Sequence, residues 1–364
     1  MNLFFKTLFI TAIILAAGEN ANAQKNKRTS KTPAPKNIIL LIGDGMGTSQ
    51  VYAGFTAKKG IMNITGMPVS GFSVTHSANN FITDSGAGGT ALSSGVKTNN
   101  YSIGVDPNGK PVESILEMAE KRGLATGLVS TSSITHATPA SFIAHTSSRS
   151  NYADIALDFL KTDIDVFIGG GYNNFARRAD SLNLIDSLKA RGYFIARDLK
   201  DVNAQSTKQL AALLADEHMP RMSKGRGNML PDATEMAISI LDKNDKGFFI
   251  MIEGSQIDWG GHDNDAAYIV DEMVDFDNAV GKALEFAAKD GETLVIVTAD
   301  HETGGFGIIG GSIATGEVKG AFLSKDHTAT MVPVFAFGPG SGIFTGVQDN
   351  TDIFRKCVKL FGFK

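Results

Sequence analysis

The chain has 364 residues, of which 43% are hydrophobic and 20% are charged, a composition that excludes a disordered chain or a collagen-like fibre. Thirty-four basic residues stand against 38 acidic ones, so the net charge of -4 offers no basic excess for nucleic-acid-specific binding or for an anionic membrane surface. Cys357 is the single cysteine of the sequence, so no intrachain disulfide can form.

Residues 1–23 have the pattern of a signal peptide. Lys6 precedes the apolar run Leu8–Ala17, and a small-x-small sequence ends at Ala23, which predicts cleavage after Ala23 and a secreted or periplasmic protein. The run is shorter than the roughly 20 apolar residues that a transmembrane helix needs, so we expect no membrane span. A buried N-terminal helix is the alternative. Residues 24–36 carry five basic and no acidic residues and are predicted to form a basic flexible tether.

Apolar strands alternate with amphipathic helical segments beyond the tether. In chain order the predicted elements are strand Asn37–Gly43, helix Val112–Arg122, strand Ala125–Thr131, helix Tyr152–Lys161, strand Val166–Gly169, helix Ser181–Arg191, helix Asp232–Asp242, strand Phe248–Glu253, helix Ala266–Lys289, strand Thr293–Thr298 and strand Pro333–Phe337. The strands are continuous apolar runs, which indicates burial on both faces, as in a parallel sheet. The sequence therefore predicts an α/β fold with an open, largely parallel central β-sheet flanked by helices on both faces. Residues 37–364 are predicted to form a single domain with short insertions, and the weakly periodic stretch Leu199–Leu230 to leave the sheet.

Three of the apolar runs end in a carboxylate. Asp44, Glu253 and Asp300 each stand at the carboxyl end of a predicted strand. Ligand sites in open α/β sheets lie outside this end of the strands, so we expect the three side chains to converge although they are far apart in sequence. A single carboxylate of this kind is equally well explained as a helix cap or a turn former. Three together favour a metal site.

Histidines strengthen the prediction of a metal site. Asp258 and His262 are four residues apart, His301 directly follows Asp300, and His327 follows a glycine-rich stretch. Mixed histidine and aspartate ligands suit zinc, whereas oxygen-rich sets of Asp, Glu and Thr suit magnesium. Three further histidines are predicted to lie at the surface, in turns or in a structural hydrogen bond within a helix, namely His76, His218 and His145.

A candidate nucleophile stands in the sequence TDSGAGGTA. Ser85 is followed by small residues that lead into a predicted helix, so it would lie at a helix N-terminus, where backbone amides and the helix dipole favour an anion. The alternative is an ordinary turn rich in serine and glycine. Because no Gly-x-Ser-x-Gly elbow surrounds Ser85, a metal is a better candidate than an Asp/His pair for activating its hydroxyl.

These motifs resemble those of the alkaline phosphatases of the bacterial and animal metallo-phosphatase type, and the resemblance runs from Asn37 to beyond His327. The sequence NIILLIGDGMG is similar to the family's first strand, whose aspartate, here Asp44, bridges two metals. The sequence TDSGAGGTALSSG is similar to the nucleophile motif, which implies that Ser85 is phosphorylated. Gly86 replaces the alanine that usually follows this serine, and its amide is implied to hold the phosphate.

The same resemblance implies roles for residues between the motifs. The segment from His136 to Arg149 matches the family, so Arg149 is implied to bind two phosphate oxygens with its guanidinium fork. Two zinc ions and one magnesium ion are implied. Their ligands would be Asp258, His262 and His327 for the first zinc, Asp44, Ser85, Asp300 and His301 for the second, and Thr138 and Glu253 for the magnesium. His136 and Trp259 occupy positions that vary within the family and would border the substrate phosphate, and the imidazole favours zinc or cobalt in place of magnesium.

The resemblance implies an activity and an assembly as well. We expect a secreted or periplasmic alkaline phosphatase, with 37–364 as its catalytic domain, that hydrolyses small-molecule phosphate monoesters through a phosphoserine. A homodimer is expected from the family alone. Residues 302–326 form a short segment where larger family members place an additional surface domain, so that domain is expected to be missing.

Two other functions remain as alternatives. One is a phosphodiesterase or sulfatase-like relative on the same scaffold. No cysteine stands at the nucleophile position for conversion to formylglycine, and Arg149 suits a monoester dianion better than a diester. The other is a non-catalytic metal- or phosphate-binding protein. Every expected ligand is present, so that interpretation needs a defect that the sequence does not show.

Overall fold

The computed structural model describes residues 34–363, which are organised around a central sheet. The predicted signal peptide and residues 24–33 of the predicted tether lie outside the described residues. Within them the strands are β1 (Asn37–Gly43), β2 (Val69–Val74), β3 (Ala125–Ser133), β4 (Val166–Gly170), β5 (Phe194–Ala196), β6 (Leu210–Leu213), β7 (Phe248–Gly254), β8 (Thr293–Thr298), β9 (Glu302–Thr303), β10 (Gly307–Ser312), β11 (Glu317–Ala321), β12 (His327–Thr328), β13 (Val332–Phe337) and β14 (Gly346–Asp349).

Ten of these strands form one mixed sheet in the order β14-β2-β13-β8-β1-β7-β3-β4-β6-β5. β13 runs antiparallel to its neighbours β8 and β2, and the other pairings of this sheet are parallel. β1 lies between β7 and β8. The predicted largely parallel sheet is therefore confirmed, and the carboxyl ends of β1, β7 and β8 meet at one edge.

Helices cover both faces of the sheet, as predicted. They are α1 (Thr48–Ala57), α2 (Ser85–Ser94), α3 (Ile115–Lys121), α4 (Ala137–Ala140), α5 (Tyr152–Asp158), α6 (Tyr172–Ala176), α7 (Leu184–Ala190), α8 (Met229–Leu241), α9 (Gln256–His262), α10 (Ala266–Asp290) and α11 (Asn350–Phe361). Ile39 and Leu41 of β1 pack in a core with α1, α8 and α10, whereas Ile38 and Leu40 pack in a second core with α2, α3, α5, α7 and α11. This alternation follows from the two-residue period of a strand and explains why β1 is apolar at successive positions.

The predicted strand Pro333–Phe337 is present as part of β13 and is the antiparallel member of this largely parallel sheet. One sequence expectation about the sheet is wrong. The stretch Leu199–Leu230 does not leave the sheet, because its four buried residues Leu210–Leu213 form β6 and pair with β4 and β5. The sequence LAAL has no alternation of apolar and polar residues and is half alanine, so it carries little strand signal.

The short segment between His301 and His327 forms small sheets of its own. β10 and β11 make an antiparallel hairpin, and β12 pairs with β9 so that His327 stands opposite Thr303. Among the helices of residues 34–363, none has both the length and the hydropathy of a membrane-spanning segment.

His145 forms the structural hydrogen bonds expected for it, although it lies in a loop and not in a helix. Its Nδ1–H donates to the carbonyl oxygen of Gly104 at 2.6 Å, and its Nε2 lies 3.1 Å from Oε1 of Glu117. The hydrogen bond to Glu117 raises the pKa of His145. Burial acts to raise the pKa of Glu117, but the bonds from His145 and Ser114 outweigh it and lower that pKa.

This pair makes the stability of the fold pH-dependent. A raised histidine pKa contributes stability below about pH 6.5, and the contribution is lost as the pH rises through the raised pKa. We expect Glu117→Gln to lower the free energy of unfolding by about 1 kcal/mol near pH 6 and by much less near pH 9. Denaturant unfolding at both pH values measures this. An equal loss at the two values would show that the charge of His145 is not involved.

Candidate active site

Asp44 is the first residue after β1 and is fully buried at the edge where the three strands end. The next residue, Gly45, has a φ of +72°, and a Cβ there would lie 2.7 Å from Cα of Asp258. The backbone N–H of Gly45 donates to Oδ1 of Asp300 at 3.3 Å. A glycine is needed at this position because the loop after β1 passes directly against the two other acidic segments.

Asp258 and His262 lie one turn apart on α9, which follows β7. Nδ1 of His262 and Nδ1 of His327 contact the carbonyl oxygens of Lys325 and Thr83, the second at 2.9 Å. A carbonyl oxygen can only accept, so Nδ1 carries a proton in both rings, and Nε2 is the ring atom that faces Asp258. The two Nε2 atoms lie 3.2 Å apart and at 3.3 and 3.5 Å from Oδ1 of Asp258. Three ligand atoms thus converge on one point.

His301 faces the nucleophile candidate. Thr303 donates its hydroxyl proton to Asp258 and lies 3.2 Å from Nδ1 of His301, so Nδ1 of the ring is the donor to Thr303. The opposite ring nitrogen, Nε2, therefore points into the crevice with its lone pair. It faces three oxygens, those of Ser85 at 3.2 Å, Asp300 at 3.4 Å and Asp44 at 3.5 Å.

Ser85 begins α2, as the sequence predicts, and Asp84 caps the helix by accepting the N–H of Ala87 at 3.0 Å. The carboxylate of Asp84 also accepts Nη1 of Arg149 at 2.8 Å. The other guanidinium nitrogen, Nη2, lies 3.5 Å from Oγ of Ser85. The ion pair with Asp84 thus directs the guanidinium toward the serine hydroxyl.

Gly86 allows a neighbouring loop to approach α2. A Cβ on this residue would lie 2.9 Å from the carbonyl oxygen of Ser102, a backbone atom that cannot move without moving its loop. The glycine in place of the family's alanine therefore has a steric reason.

A third group of side chains surrounds the buried Glu253 at the end of β7. Ser130 of β3 donates to Oε2 of Glu253 at 2.6 Å, and Oε1 has no hydrogen-bond partner among the described residues. His136 stands at the N-cap position of α4, without a side-chain capping bond, and Thr138 lies within the helix. Both residues are buried. Nε2 of His136 lies 3.4 Å from Nη2 of Arg149, which can only donate, so Nδ1 of His136 carries the proton. Burial lowers the pKa of His136 to about 3, and the ring is therefore neutral.

The buried carboxylates raise one another's pKa. Burial raises the pKa of Asp44 well above its ordinary range, and Asp300 and Asp258 add to the effect. Burial likewise raises the pKa of Glu253 to about 7 and that of Asp300 to about 6. Cations in the crevice would reverse these shifts, because they stabilise the charged form of each group.

Asp258 behaves differently from the other acids. Burial acts to raise its pKa, but the hydrogen bond from His262 and the proximity of His301 and His327 outweigh burial and lower it. The same bond raises the pKa of His262 to about 9.

These residues fit divalent cations. Three groups have ligand atoms within 4.8 Å of one another, namely Asp258, His262 and His327; Asp44, Asp258 and His301; and Asp44, His136 and Glu253. Several buried side-chain atoms of the same crevice have no hydrogen-bond partner within residues 34–363, among them both oxygens of Asp44, Oδ2 of Asp300, Oγ1 of Thr138 and Oε1 of Glu253. Buried polar atoms are normally paired, so a cluster of unpaired acceptors indicates a cation site.

Comparison with known proteins places the chain in a family. The family model described as alkaline phosphatase matches residues 35–321. Alkaline phosphatase 3 of Bacillus subtilis (strain 168) is 36% identical, with 96% of this chain and 94% of that protein aligned. The alkaline phosphatase of Escherichia coli (strain K12) is 35% identical over 95% of this chain and 90% of its own length. The chain belongs to the alkaline phosphatase family.

Solved structures of the family agree in fold. The alkaline phosphatase of the Antarctic bacterium TAB5 is 46% identical and superposes with a TM-score of 0.87, with 92% of this chain and 100% of that chain covered. A histidine-to-aspartate mutant of the TAB5 alkaline phosphatase has been solved with Mg bound in its M3 site, and it gives a TM-score of 0.86 over the same coverage. Like its relatives, this alkaline phosphatase is a phosphomonoester hydrolase.

The structure of this alkaline phosphatase places one further histidine, His218, beside His136 and Trp259, and the sequence does not mark it as part of the site. His218 lies in a bend, as expected, and its half-buried ring also meets Trp259 edge-on, with centroids 4.9 Å apart, and His136 at 5.6 Å. The N–H of Ser133 donates to its Nδ1 at 3.0 Å, so Nε2 carries the proton. His218 follows β6 and Trp259 lies on α9, and no local sequence signal connects them.

Proposed function

We propose that Ser85 is the nucleophile of a two-step phosphomonoester hydrolysis and that Arg149 binds the phosphate. One observation carries the proposal: the hydroxyl of Ser85 stands at a helix N-terminus, 3.2 Å from Nε2 of His301 and 3.5 Å from Nη2 of Arg149. An anionic phosphate is favoured there by the helix dipole and by the guanidinium.

The chain's own groups define the two steps. Oγ of Ser85 forms a bond to phosphorus while the bond to the leaving oxygen breaks, and the alcohol departs with a proton. Arg149 holds two of the three non-bridging oxygens with its planar fork, and the amide of Gly86 faces the developing charge. Water then attacks the phosphoserine, releases inorganic phosphate and restores the Ser85 hydroxyl. Divalent cations, when bound, would neutralise phosphate charge and lower the pKa of the hydroxyl.

We propose two zinc ions and one magnesium ion as the cofactors. The histidine-rich group suits zinc, since neutral imidazole and carboxylate are its common ligands. The group around Glu253 is richer in oxygen, which suits magnesium. The residues proposed to hold them are Asp258, His262 and His327 for the first zinc, Asp44, Ser85, Asp300 and His301 for the second, and Asp44, Thr138 and Glu253 for the third ion.

His136 is proposed to weaken the preference of the third site for magnesium. Its imidazole lies in one group with Asp44 and Glu253, where a carboxylate would offer oxygen to a magnesium ion or its waters. The TAB5 relative in which a histidine is replaced by aspartate holds Mg in its M3 site, which supports this expectation.

We expect His136→Asp to raise the affinity for magnesium about tenfold, because an anionic oxygen replaces a neutral nitrogen. The measurement is a calorimetric magnesium titration of protein that has been stripped of metal and reconstituted with zinc. His76→Asp is the matched control, since it makes the same change at an exposed site near Asp349. Superimposable titrations for wild type and His136→Asp would show that the imidazole does not set the metal preference.

Hydrolysis of three related nitrophenyl esters tests the proposed function. The phosphate monoester should be hydrolysed much faster than the diester or the sulfate. The rate on the monoester should rise with the content of bound zinc and magnesium, measured by elemental analysis. Preference for the diester or the sulfate would favour a relative on the same scaffold, and metal binding without turnover would favour a silent binding protein.

We further propose that residues 37–364 are the single catalytic domain of an exported homodimer. The signal-peptide pattern of 1–23 supports export, and family membership supports the dimer. A mature N-terminus at Gln24 in the secreted fraction, and a solution mass of two chains by light scattering, are the expected findings.

A further inference from the structure

The turn Asn99–Ser102 lies beside the nucleophile and contains a strained residue. Tyr101 has a φ of +72° although it is neither glycine nor asparagine, and its side chain is 67% exposed. A bulky residue is unfavourable in the left-handed region, and the exposed ring gains little packing to offset the strain. The backbone contacts of the turn explain the conformation.

Asn100 fixes the segment that carries the nucleophile. Its side-chain carbonyl accepts the N–H of Asp84 at 3.3 Å, and its side-chain amide donates to the carbonyl oxygen of Ile82 at 2.9 Å. The backbone N–H of Asn100 donates in turn to the side chain of Asn79 at 2.9 Å. One amide side chain thus bridges the residues on either side of Thr83.

Tyr101 fixes the arginine. The backbone N–H of Arg149 donates to the carbonyl oxygen of Tyr101 at 2.7 Å. Because the backbone at Tyr101 is left-handed, the carbonyl of Tyr101 faces Arg149 while the side chain of Asn100 faces Asp84. The next carbonyl, that of Ser102, lies against Gly86. Two successive residues therefore hold both partners of the Asp84–Arg149 ion pair.

We propose that the Asn100–Tyr101 turn is a positioning element that sets the guanidinium of Arg149 relative to Oγ of Ser85. Asn100 acts through Asp84, and Tyr101 acts through its backbone carbonyl on Arg149. The inference rests on the proposed role of Arg149 in binding phosphate. Small displacements of groups that hold a reacting phosphate weaken catalysis strongly. The gain in positioning therefore offsets the strain in the backbone of Tyr101.

Inorganic phosphate, as a competitive inhibitor of the metal-loaded enzyme, is the probe for this turn. Asn100→Ala is expected to weaken phosphate binding and to lower kcat/KM for nitrophenyl phosphate, each by about tenfold, because the Asp84 segment loses its hydrogen bond. Asn99→Ala is the matched control, since it removes a side-chain bond from the same turn to the carbonyl of Pro107, away from Ser85. Equal kinetic losses in the two variants would overturn the proposal, as would a lowered Tm in Asn100→Ala with unchanged kinetics.

A double variant separates positioning from the proposed role of Arg149. In an Arg149→Ala background, Asn100→Ala should weaken phosphate binding by less than about twofold, because the group that it positions is gone. An undiminished tenfold effect would overturn the proposal for Asn100. If Arg149→Ala alone left phosphate binding unchanged, the proposed function of Arg149 would fail instead.

The backbone contribution is tested at Tyr101. Tyr101→Gly keeps the left-handed conformation available and should leave phosphate binding within about twofold of wild type. Tyr101→Val should weaken it about tenfold, because a β-branched residue resists a positive φ and moves the carbonyl that holds Arg149. Weakened binding in the glycine variant, or unchanged binding in the valine variant, would show that the conformation does not matter.

Discussion

Replacing Ser85 by alanine is expected to abolish the covalent phosphoenzyme and to lower kcat by at least about a thousandfold, because it removes the hydroxyl that lies 3.2 Å from Nε2 of His301 and 3.5 Å from Nη2 of Arg149. Radiolabelled phosphomonoester, quenched in acid and followed by denaturation, measures the label that stays on the protein. Metal content should change little, since the carboxylates and imidazoles of the crevice remain.

A second hydroxyl of the same helix provides the control. Ser94 lies at the far end of α2, where its side chain bonds to the carbonyl oxygen of Thr90 at 2.8 Å. Ser94→Ala should retain the label at the wild-type level after correction for folded protein. Label on the Ser85→Ala variant at that level would rule out Ser85 as the phosphorylated residue.

Replacing Arg149 by serine is expected to cost about 2–4 kcal/mol of transition-state stabilisation for a phosphomonoester and distinctly less for a diester. The reason is that a monoester presents two charged oxygens to the guanidinium fork, whereas a diester presents only one charged oxygen. The measurement is kcat/KM for the nitrophenyl monoester and diester with wild type and variant.

Arg149→Lys distinguishes charge from geometry. Lysine keeps the positive charge near Asp84 but cannot hold two oxygens in one plane. We expect Arg149→Lys to have more activity on the monoester than Arg149→Ser. We expect it not to restore the preference for the monoester over the diester. Equal losses on both esters in Arg149→Ser would show that the arginine supports the structure and does not recognise the dianion.

The central strands could be predicted from sequence because they are buried on both faces. The runs NIILLIG and TLVIVT give β1 and β8 with the predicted bounds, because short apolar runs rich in isoleucine and valine are typical of strands covered on both faces. β2 was not predicted, because it contains Gly71 and its exposed and buried residues are mixed. β5 has only three residues, and β6 has the sequence LAAL, in which alanine gives little strand signal.

Helix α11 was also missed, although its signal is local. Asp349 caps the helix and Asp352 completes a capping box, and Ile353, Cys357 and Leu360 recur at helical spacing on its buried face. The helix lies beyond the motifs that carry the chemistry, but the same physical pattern used for α10 would have located it.

The meeting of Asp44, Glu253 and Asp300 follows from where parallel strands end, and the structure places them together as expected. The positions of Thr303 and His218 do not follow from the strands in this way. The contact of Thr303 with His301 and that of His218 with Trp259 depend on how loops cross outside the sheet. Strand topology predicts which edge of a sheet carries the chemistry. It does not predict which loop side chains orient the residues there.

The place of β1 in the sheet governs when this enzyme can assemble. Among the strands of the described residues, β1 is the first to leave the ribosome, yet both strands that pair with it, β7 and β8, belong to the last third of the chain. We therefore expect its apolar residues to stay uncovered until most of the protein has been synthesised, because pairing over such sequence separations is slow. In that interval we expect aggregation to compete with folding. A chaperone, or an export channel for unfolded proteins, would encounter the chain while β1 is still unpaired.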